Sequence, residues 1–240
     1  MEENVMNVME APPAAKGVYF VSGIGTGVGK TVATGAMARY LVSSGRDAIT
    51  VKMVQTGNDC GSEDLAAHRR MMGGVSFPED AAGLTAPEIF SFPSSPALAA
   101  SLEGKTVDLA KIARAVAKCA AAHEVTLVEG AGGMDVPLTD DVLAADFAAA
   151  QGWPLILVTC GSLGAINHAL LSLDAAKMRN LPLAGVVHNS FFSDDPRLDE
   201  DAVAAVSRHL RRIGSHANIV RMPRIDPDGE RPVDFGRIFG

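Results

Sequence analysis

The sequence predicts one α/β domain in which a mostly parallel central β-sheet is flanked by helices. Short apolar, β-branched runs alternate with longer Ala-rich segments, the pattern of repeated strand–helix–strand units around a buried parallel sheet. The first run, VYFVSG, passes through a glycine-rich stretch ending in Gly-Lys-Thr into a helical segment. A chain of 240 residues, 48% of them hydrophobic, can bury one substantial core.

Taken in order, the strand candidates are VYFVSG, AITVK, TLVEG, PLILVTC and LAGVVHN, with a weaker one at ANIVRM. Helical segments follow most of them: Lys30 to Ser44, Glu63 to Met72, Leu109 to His123, Val142 to Gln151, Gly164 to Arg179 and Leu198 to Ile213. Gly45 and Gly152 supply stops after the first and fourth. Residues 1–16 read as a flexible leader and 17–240 as the domain. The segments Gly73 to Pro96 and SDDPRLDE read as exposed loops because they concentrate Pro, Gly and acids, and the tail PRIDPDGERPVDFGRIFG as irregular.

The formal net charge of -7 argues against a surface that grips nucleic-acid backbones, which needs a surplus of Lys and Arg. No apolar run approaches the roughly 18 to 20 residues of a membrane span, and the N-terminus carries acids where a signal peptide carries bases. Cys60, Cys119 and Cys160 lack the close spacing of a metal site or a disulfide framework, so a reduced, cytoplasmic chain is expected. His68, His123, His188, His209 and His216 stand singly and carry no assigned role.

The loop after the first strand, SGIGTGVGKT, departs from the ordinary phosphate-loop (P-loop) spacing. The position where the opening glycine belongs is Ile24, and Gly23 lies one residue too far out. Gly25, Gly27 and Gly29 nevertheless let successive N–H groups turn toward one point, and the helix starting near Lys30 adds its positive end. Lys30 would reach the β and γ phosphates, and Thr31 would offer its hydroxyl to Mg2+.

Lys52 ends the second strand where the sheet meets solvent, close to the loop if the two strands are neighbours. It reads equally as a phosphoryl-neutralising cation or as an ordinary strand-end lysine. Thr56 and Gly57 follow in a turn able to meet a small polar substrate. Glu63 and Asp64 open a helix behind Ser62, which capping and the helix dipole are enough to explain. Glu129 ends a buried strand before Gly-Ala-Gly-Gly, the place of the carboxylate that holds Mg2+ in P-loop enzymes.

Together these stretches resemble the dethiobiotin synthetase family, whose loop is one residue longer than the ordinary one, as in GIGTGVGKT. The family's Lys-x-Val-x-Ser/Thr-Gly turn is matched by KMVQTG, its acid-opened helix by SEDLAAH and its acidic glycine turn by VEGAGG. The segment GSLGAINHALLSLDAAKMRNLPLAGVVHNSF is similar to the part that leads to the asparagine at the nucleotide base. The resemblance spans roughly Val18 to Asn189.

It implies ATP held by Gly25, Thr26, Gly27, Val28, Gly29, Lys30, Thr31 and Val32, with Asn189 near the adenine. Mg2+ would be held by Thr31, Asp64 and Glu129. The substrate 7,8-diaminononanoate would lie against Thr26, Lys52, Thr56 and Gly132, with Lys30, Lys52 and Thr26 serving catalysis and CO2 or bicarbonate completing the reaction. Its carboxylate end would meet Asn167 and the N–H groups of Gly164 to Ile166 of a partner subunit, so a homodimer is implied. The sequence departs from the family's pattern at Gly27, where relatives often carry Glu, and at Ala97, where they commonly carry His.

Two other classes share parts of the pattern. Cobyrinate-type amidating ligases share the fold, but they usually carry a glutamine-hydrolysing domain for which 240 residues leave little room. Partitioning-type switch ATPases have a lysine early in the loop, where this chain has Gly25.

Overall fold

A computed structural model of the chain describes residues 17–192, 195–225 and 233–240; the expected leader, 1–16, lies outside the described residues. Strand β1 (Gly17–Gly23) leads into helix α1 (Lys30–Ser43), followed by β2 (Ala48–Lys52), the short β3 (Val54–Thr56) and α2 (Glu63–Met71). Next come α3 (Pro78–Ala81), β4 (Glu88–Phe90), α4 (Pro96–Leu102), α5 (Leu109–Ala122), β5 (Val125–Gly133) and α6 (Ala144–Ala150). The chain then runs through β6 (Leu155–Cys160), α7 (Ala165–Met178), β7 (Leu183–Asn189), a 3-10 turn (Ser190–Phe192), α8 (Pro196–Arg212), β8 (Asn218–Met222) and α9 (Gly236–Phe239).

Six strands form one sheet in the order β2-β5-β1-β6-β7-β8, each pair parallel. Every residue of β2, β6 and β7 is buried, as expected for parallel strands covered on both faces, and this is why they read as continuous apolar runs. The polar exceptions, Lys52, Glu129, His188 and Asn189, lie in the C-terminal halves of β2, β5 and β7. In open α/β sheets, ligands collect beyond the carboxyl ends of the strands.

The sequence expectation about neighbours needs correction. β1 and β2 are consecutive in sequence but not adjacent in the sheet, because β5 is inserted between them. The register runs Val21, Glu129, Lys52 across the three strands. Lys52 therefore reaches the nucleotide loop's side of the sheet through Glu129 rather than beside β1.

Three further segments are more ordered than their composition suggested. Within 73–96, β4 pairs with β3 in a two-stranded parallel sheet, and the Thr85 carbonyl accepts from Lys52 N at 2.7 Å, which prolongs the edge of the main sheet. SDDPRLDE was expected to be a loop, yet α8 begins inside it: Asp195 accepts from Arg197 N and Pro196 takes the first helical position. The tail supplies α9, with Phe235 and Phe239 fully buried and edge-to-face with Tyr40 and Tyr19.

Candidate active site

The loop between β1 and α1 explains its own spacing. A Cβ at Gly23 would stand 2.6 Å from Val28 Cγ2 and 3.1 Å from Lys30 Cγ, so the loop folds back over this residue and only glycine fits. Gly23 is thus the opening glycine, one place earlier than usual. Gly29, at φ 87°, takes the left-handed conformation and caps α1 without any side-chain hydrogen bond, and no acid stands in the first turn. By contrast α2, α5 and α8 are capped by Ser62, Asp108 and Asp195. The start of α1 is left for an anion from outside the chain.

Lys30 curls back over this loop, its Nζ donating to the Gly25 carbonyl at 3.0 Å. Burial, which outweighs the attraction of Glu129, pushes its ammonium down to about 8. A phosphate placed here would take over the lysine from a neutral carbonyl.

Four polar side chains from four elements meet beside the loop. Lys52 Nζ lies 2.6 Å from Asp64 Oδ2 and 2.8 Å from Glu129 Oε1, and it also donates to the Gly130 carbonyl at 3.3 Å. The Thr31 hydroxyl is shared between Asp64 Oδ1 at 2.7 Å and Glu129 Oε1 at 3.1 Å. Burial works against the Lys52 ammonium, yet Glu129 and Asp64 raise its pKa above the ordinary lysine value, so it is charged at neutral pH. Glu129 is fully buried, which alone would raise its pKa, but Lys52 and His68 hold it well below the usual carboxylate range.

Asp64 thus does more than complement a helix dipole. Ser62 caps α2 by accepting from Leu65 N at 3.1 Å and donates to Gln55 Oε1 at 2.6 Å, pinning the start of α2 to β3. This orients Asp64 toward Thr31 and Lys52.

Sequence reasoning assigned no role to His68, which is fully buried with Nε2 2.8 Å from Glu129 Oε2 and Nδ1 3.1 Å from Thr50 Oγ1. Its spacing of four from Asp64 puts both on one face of α2 and was the available signal. Behind it, Arg69 donates to Thr50 Oγ1 at 2.8 Å and grips Asp80 through Nε at 2.9 Å and NH2 at 2.7 Å.

Burial tends to raise the Asp80 pKa, but hydrogen bonds from Arg69, Thr85 and Phe77 N lower it on balance. Its contribution to stability is present above the unfolded-state value of about 3.9 and is lost as pH falls through the lower folded value. Asp80→Asn is therefore expected to lower the thermal midpoint at pH 7 while flattening its fall below about pH 4. Melting curves from pH 7 to 2.5 check this, and an acid limb as steep as that of the parent chain contradicts it.

The remaining predicted residues fall in two groups. Thr26 is exposed at the loop tip, and a Cβ on Gly132 (φ 65°) would stand 3.7 Å from its Oγ1, so these two line one mouth. Thr56, half-buried at the end of β3, accepts from Gln55 Nε2 through its carbonyl. Asn189 Nδ2 donates to the Val28 carbonyl at 3.0 Å and its Oδ1 accepts from Phe191 N at 3.1 Å, so β7 braces the loop directly. Gly27, at φ 76°, and Val32 lie in the loop and first helical turn as expected. Asn167 is exposed in the first turn of α7 and makes none of the cluster's hydrogen bonds. Ala97 belongs to α4, its N–H donating to the Pro137 carbonyl at 3.2 Å.

The oxygen set is suited to a small hard cation. The Thr31 hydroxyl, Asp64 Oδ1 and Glu129 Oε1 converge, a set that Mg2+ commonly completes with phosphate oxygens and water rather than with an all-protein cage.

The chain matches the AAA domain family over residues 17–225. It is 42% identical over 197 residues to the ATP-dependent dethiobiotin synthetase BioD of Chlorobaculum tepidum, covering 82% of each chain. It is 38% identical to ATP-dependent dethiobiotin synthetase BioD 2 of Pasteurella multocida, over 81% of this chain and 92% of that one. Among solved structures it superposes on a ParA family ATPase from Chlorobium tepidum with a TM-score of 0.52 at 15% identity, covering 88% of this chain and 86% of that one. For the MinC:MinD complex of Aquifex aeolicus the score is 0.53 at 14% identity, with 86% and 81% covered. These two likenesses speak to the fold alone.

Proposed function

The chain belongs to the ATP-dependent dethiobiotin synthetase family of AAA-domain proteins, and from that premise we propose how its site closes the ureido ring of dethiobiotin from 7,8-diaminononanoate, CO2 and ATP. One substrate amine takes up CO2 as a carbamate, and a carbamate oxygen accepts the γ-phosphoryl group with release of ADP. The second amine then attacks the carbamate carbon, displacing phosphate and closing the ring. The observation that carries this reading is the meeting of Lys52, Asp64, Glu129 and Thr31 beside an uncapped, glycine-rich helix start.

Each group has a task in that sequence. The loop from Gly25 to Val32 cradles the triphosphate on backbone N–H groups, and Lys30 leaves the Gly25 carbonyl for the phosphates. Thr31, Asp64 and Glu129 would hold Mg2+, which would offset the negative charge of the phosphates. Lys52, kept charged by two carboxylates, faces the phosphoryl group as it passes between oxygens. Thr26, Thr56 and Gly132 border the place for the diamine, and Asn189 stands where the loop turns toward the base. Alignment and charge neutralisation suffice, because the substrate supplies both nucleophiles.

The homodimer belongs to the same reading. Along α7 and the turn before it, Leu163, Leu171 and Met178 are 88, 59 and 83% exposed, an unusual apolar display for a surface helix. Leu163 and Leu171 flank Asn167 and the uncapped N-terminus at Gly164, which has no acid in its first turn. A partner copy seated there would present that helix end to the substrate carboxylate. A cytoplasmic enzyme fits this reading; no helix among the described residues is long and apolar enough to cross a membrane.

The test is ATP turnover with bicarbonate, with and without 7,8-diaminononanoate, following products by mass. The expected product is heavier than the diamine by one carbonyl less two hydrogens, and it forms together with ADP only when the diamine is present. ATP turnover indifferent to the diamine would replace this reading with that of a nucleotide switch.

A further inference from the structure

Behind the proposed cation site runs a chain of buried hydrogen bonds whose direction can be read from its chemistry. It starts at Arg69, a guanidinium with no acceptor capacity, anchored on Asp80 and lying 4.6 Å from the Phe77 ring centroid. Arg69 NH1 donates to Thr50 Oγ1, which leaves the hydroxyl proton of Thr50 to be donated onward. The next atom, 3.1 Å away, is His68 Nδ1. A ring that accepts at Nδ1 carries its proton on Nε2, and Nε2 faces Glu129 Oε2 at 2.8 Å.

Every member is buried, so each unmade bond would carry a full desolvation cost. The carboxylate at one end can only accept from Nε2–H, and the hydroxyl held by Arg69 at the other can donate to Nδ1, so both ends favour the same arrangement of His68.

We propose that His68 is a positioning residue for Glu129: oriented by Arg69 through Thr50, its Nε2–H holds Oε2 and so turns Oε1 toward Thr31 and Lys52, where the cation is to bind. This rests on the reading of Glu129 as a Mg2+ ligand. The two carboxylate oxygens have separate duties. Oε2 is taken by the histidine, and Oε1 lies 2.8 Å from Lys52 Nζ and 3.1 Å from the Thr31 hydroxyl. Without the imidazole, the carboxylate can rotate and lose that division. Outer partners of metal ligands typically control about 10- to 100-fold in affinity.

The experiment has three independent readouts on the full chain. In the metal-free, nucleotide-free protein, long-range 1H–15N spectra of the imidazoles should show hydrogen on His68 Nε2; a ring whose Nε2 carries none overturns the proposal. Mn2+ binding in the presence of a non-hydrolysable ATP analogue, followed by electron paramagnetic resonance, should weaken at least about 10-fold in His68→Leu. His68→Gln, whose amide can accept from Thr50 and donate to Glu129, should recover most of that loss.

In turnover, the Mg2+ concentration for half-maximal rate should rise in His68→Leu while the rate at saturating Mg2+ stays close to that of the parent, a split that general unfolding does not produce. Unchanged Mn2+ affinity in His68→Leu overturns the positioning role alone. A parent chain that binds no Mn2+ with the analogue overturns the cation-site reading and this inference with it. Neither result depends on whether the diamine is the substrate.

Discussion

Lys52→Met is expected to lower turnover about 1,000-fold while leaving the KM for ATP nearly unchanged. The argument rests on where the charge sits and when it is used. Lys52 Nζ is held 2.6 and 2.8 Å from Asp64 and Glu129, whereas the nucleotide loop's own lysine, Lys30, rests on the Gly25 carbonyl. On the proposed reading, ATP in its ground state would be met by the loop N–H groups and by Lys30, whose ammonium rests on a neutral carbonyl. Lys52 is therefore available for charge that moves toward the carbamate, an interaction realised only in transfer. A group that acts only there lowers kcat without weakening substrate binding.

Removing the ammonium also leaves the buried Glu129 and the half-buried Asp64 without their cation, and breaking a buried ion pair destabilises by about 3 to 5 kcal/mol. Thermal melts of the variant with and without MgATP are therefore part of the measurement. Folded protein with parental ATP affinity and a turnover within about tenfold of the parent would remove Lys52 from catalysis.

The legibility of this molecule in its sequence divides along physical lines. The strands of the main sheet could be read because parallel strands covered on both faces become unbroken apolar runs, as in LILVTC and LAGVVHN. The strand-end position of Lys52 followed from those runs, whereas Glu129, expected to end its strand, sits mid-strand because β5 continues through the glycine turn to Gly133. Their partnership did not follow, because the insertion of β5 between β1 and β2 is a long-range choice that no local pattern records. His68 was missed for the same reason: it gains meaning only once β5 brings Glu129 beside α2.

Strands β3 and β4 have three residues each, too few for any periodicity to show. The tail misled through composition, since the few apolar residues of VDFGRIF are scattered among polar ones. Phe235 and Phe239 nevertheless fill space between Tyr40 and Tyr19 that the sheet and α1 leave open. At the loop, composition showed three flexible glycines but could not say which tolerates a side chain. Gly25 and Gly27 face open space, whereas Gly23 and Gly29 do not.

That difference makes Gly29→Ala the most damaging small change in the loop, with kcat/KM for ATP expected to fall at least about 100-fold, whereas Gly25→Ala stays within about tenfold of the parent. Two costs combine at Gly29. Its φ of 87° lies in the left-handed region, where an L-residue costs roughly 1 to 2 kcal/mol. A Cβ there also collides with Asn189 Nδ2, the group that braces the loop by donating to the Val28 carbonyl. The chain can relieve the collision only by moving Asn189 away or by moving the first turn of α1.

Either movement displaces Lys30 and Thr31, the two residues that follow, and misplacement by about 1 Å can cost two orders of magnitude in rate. The two costs can be separated, because Asn189→Ala removes the obstacle but not the backbone strain. In the double variant, part of the Gly29→Ala loss should return, so the two changes together cost less than their sum. Strict additivity of the two in kcat/KM would mean that Asn189 and Gly29 do not share one packing constraint, and the bracing role of β7 would then have to be abandoned.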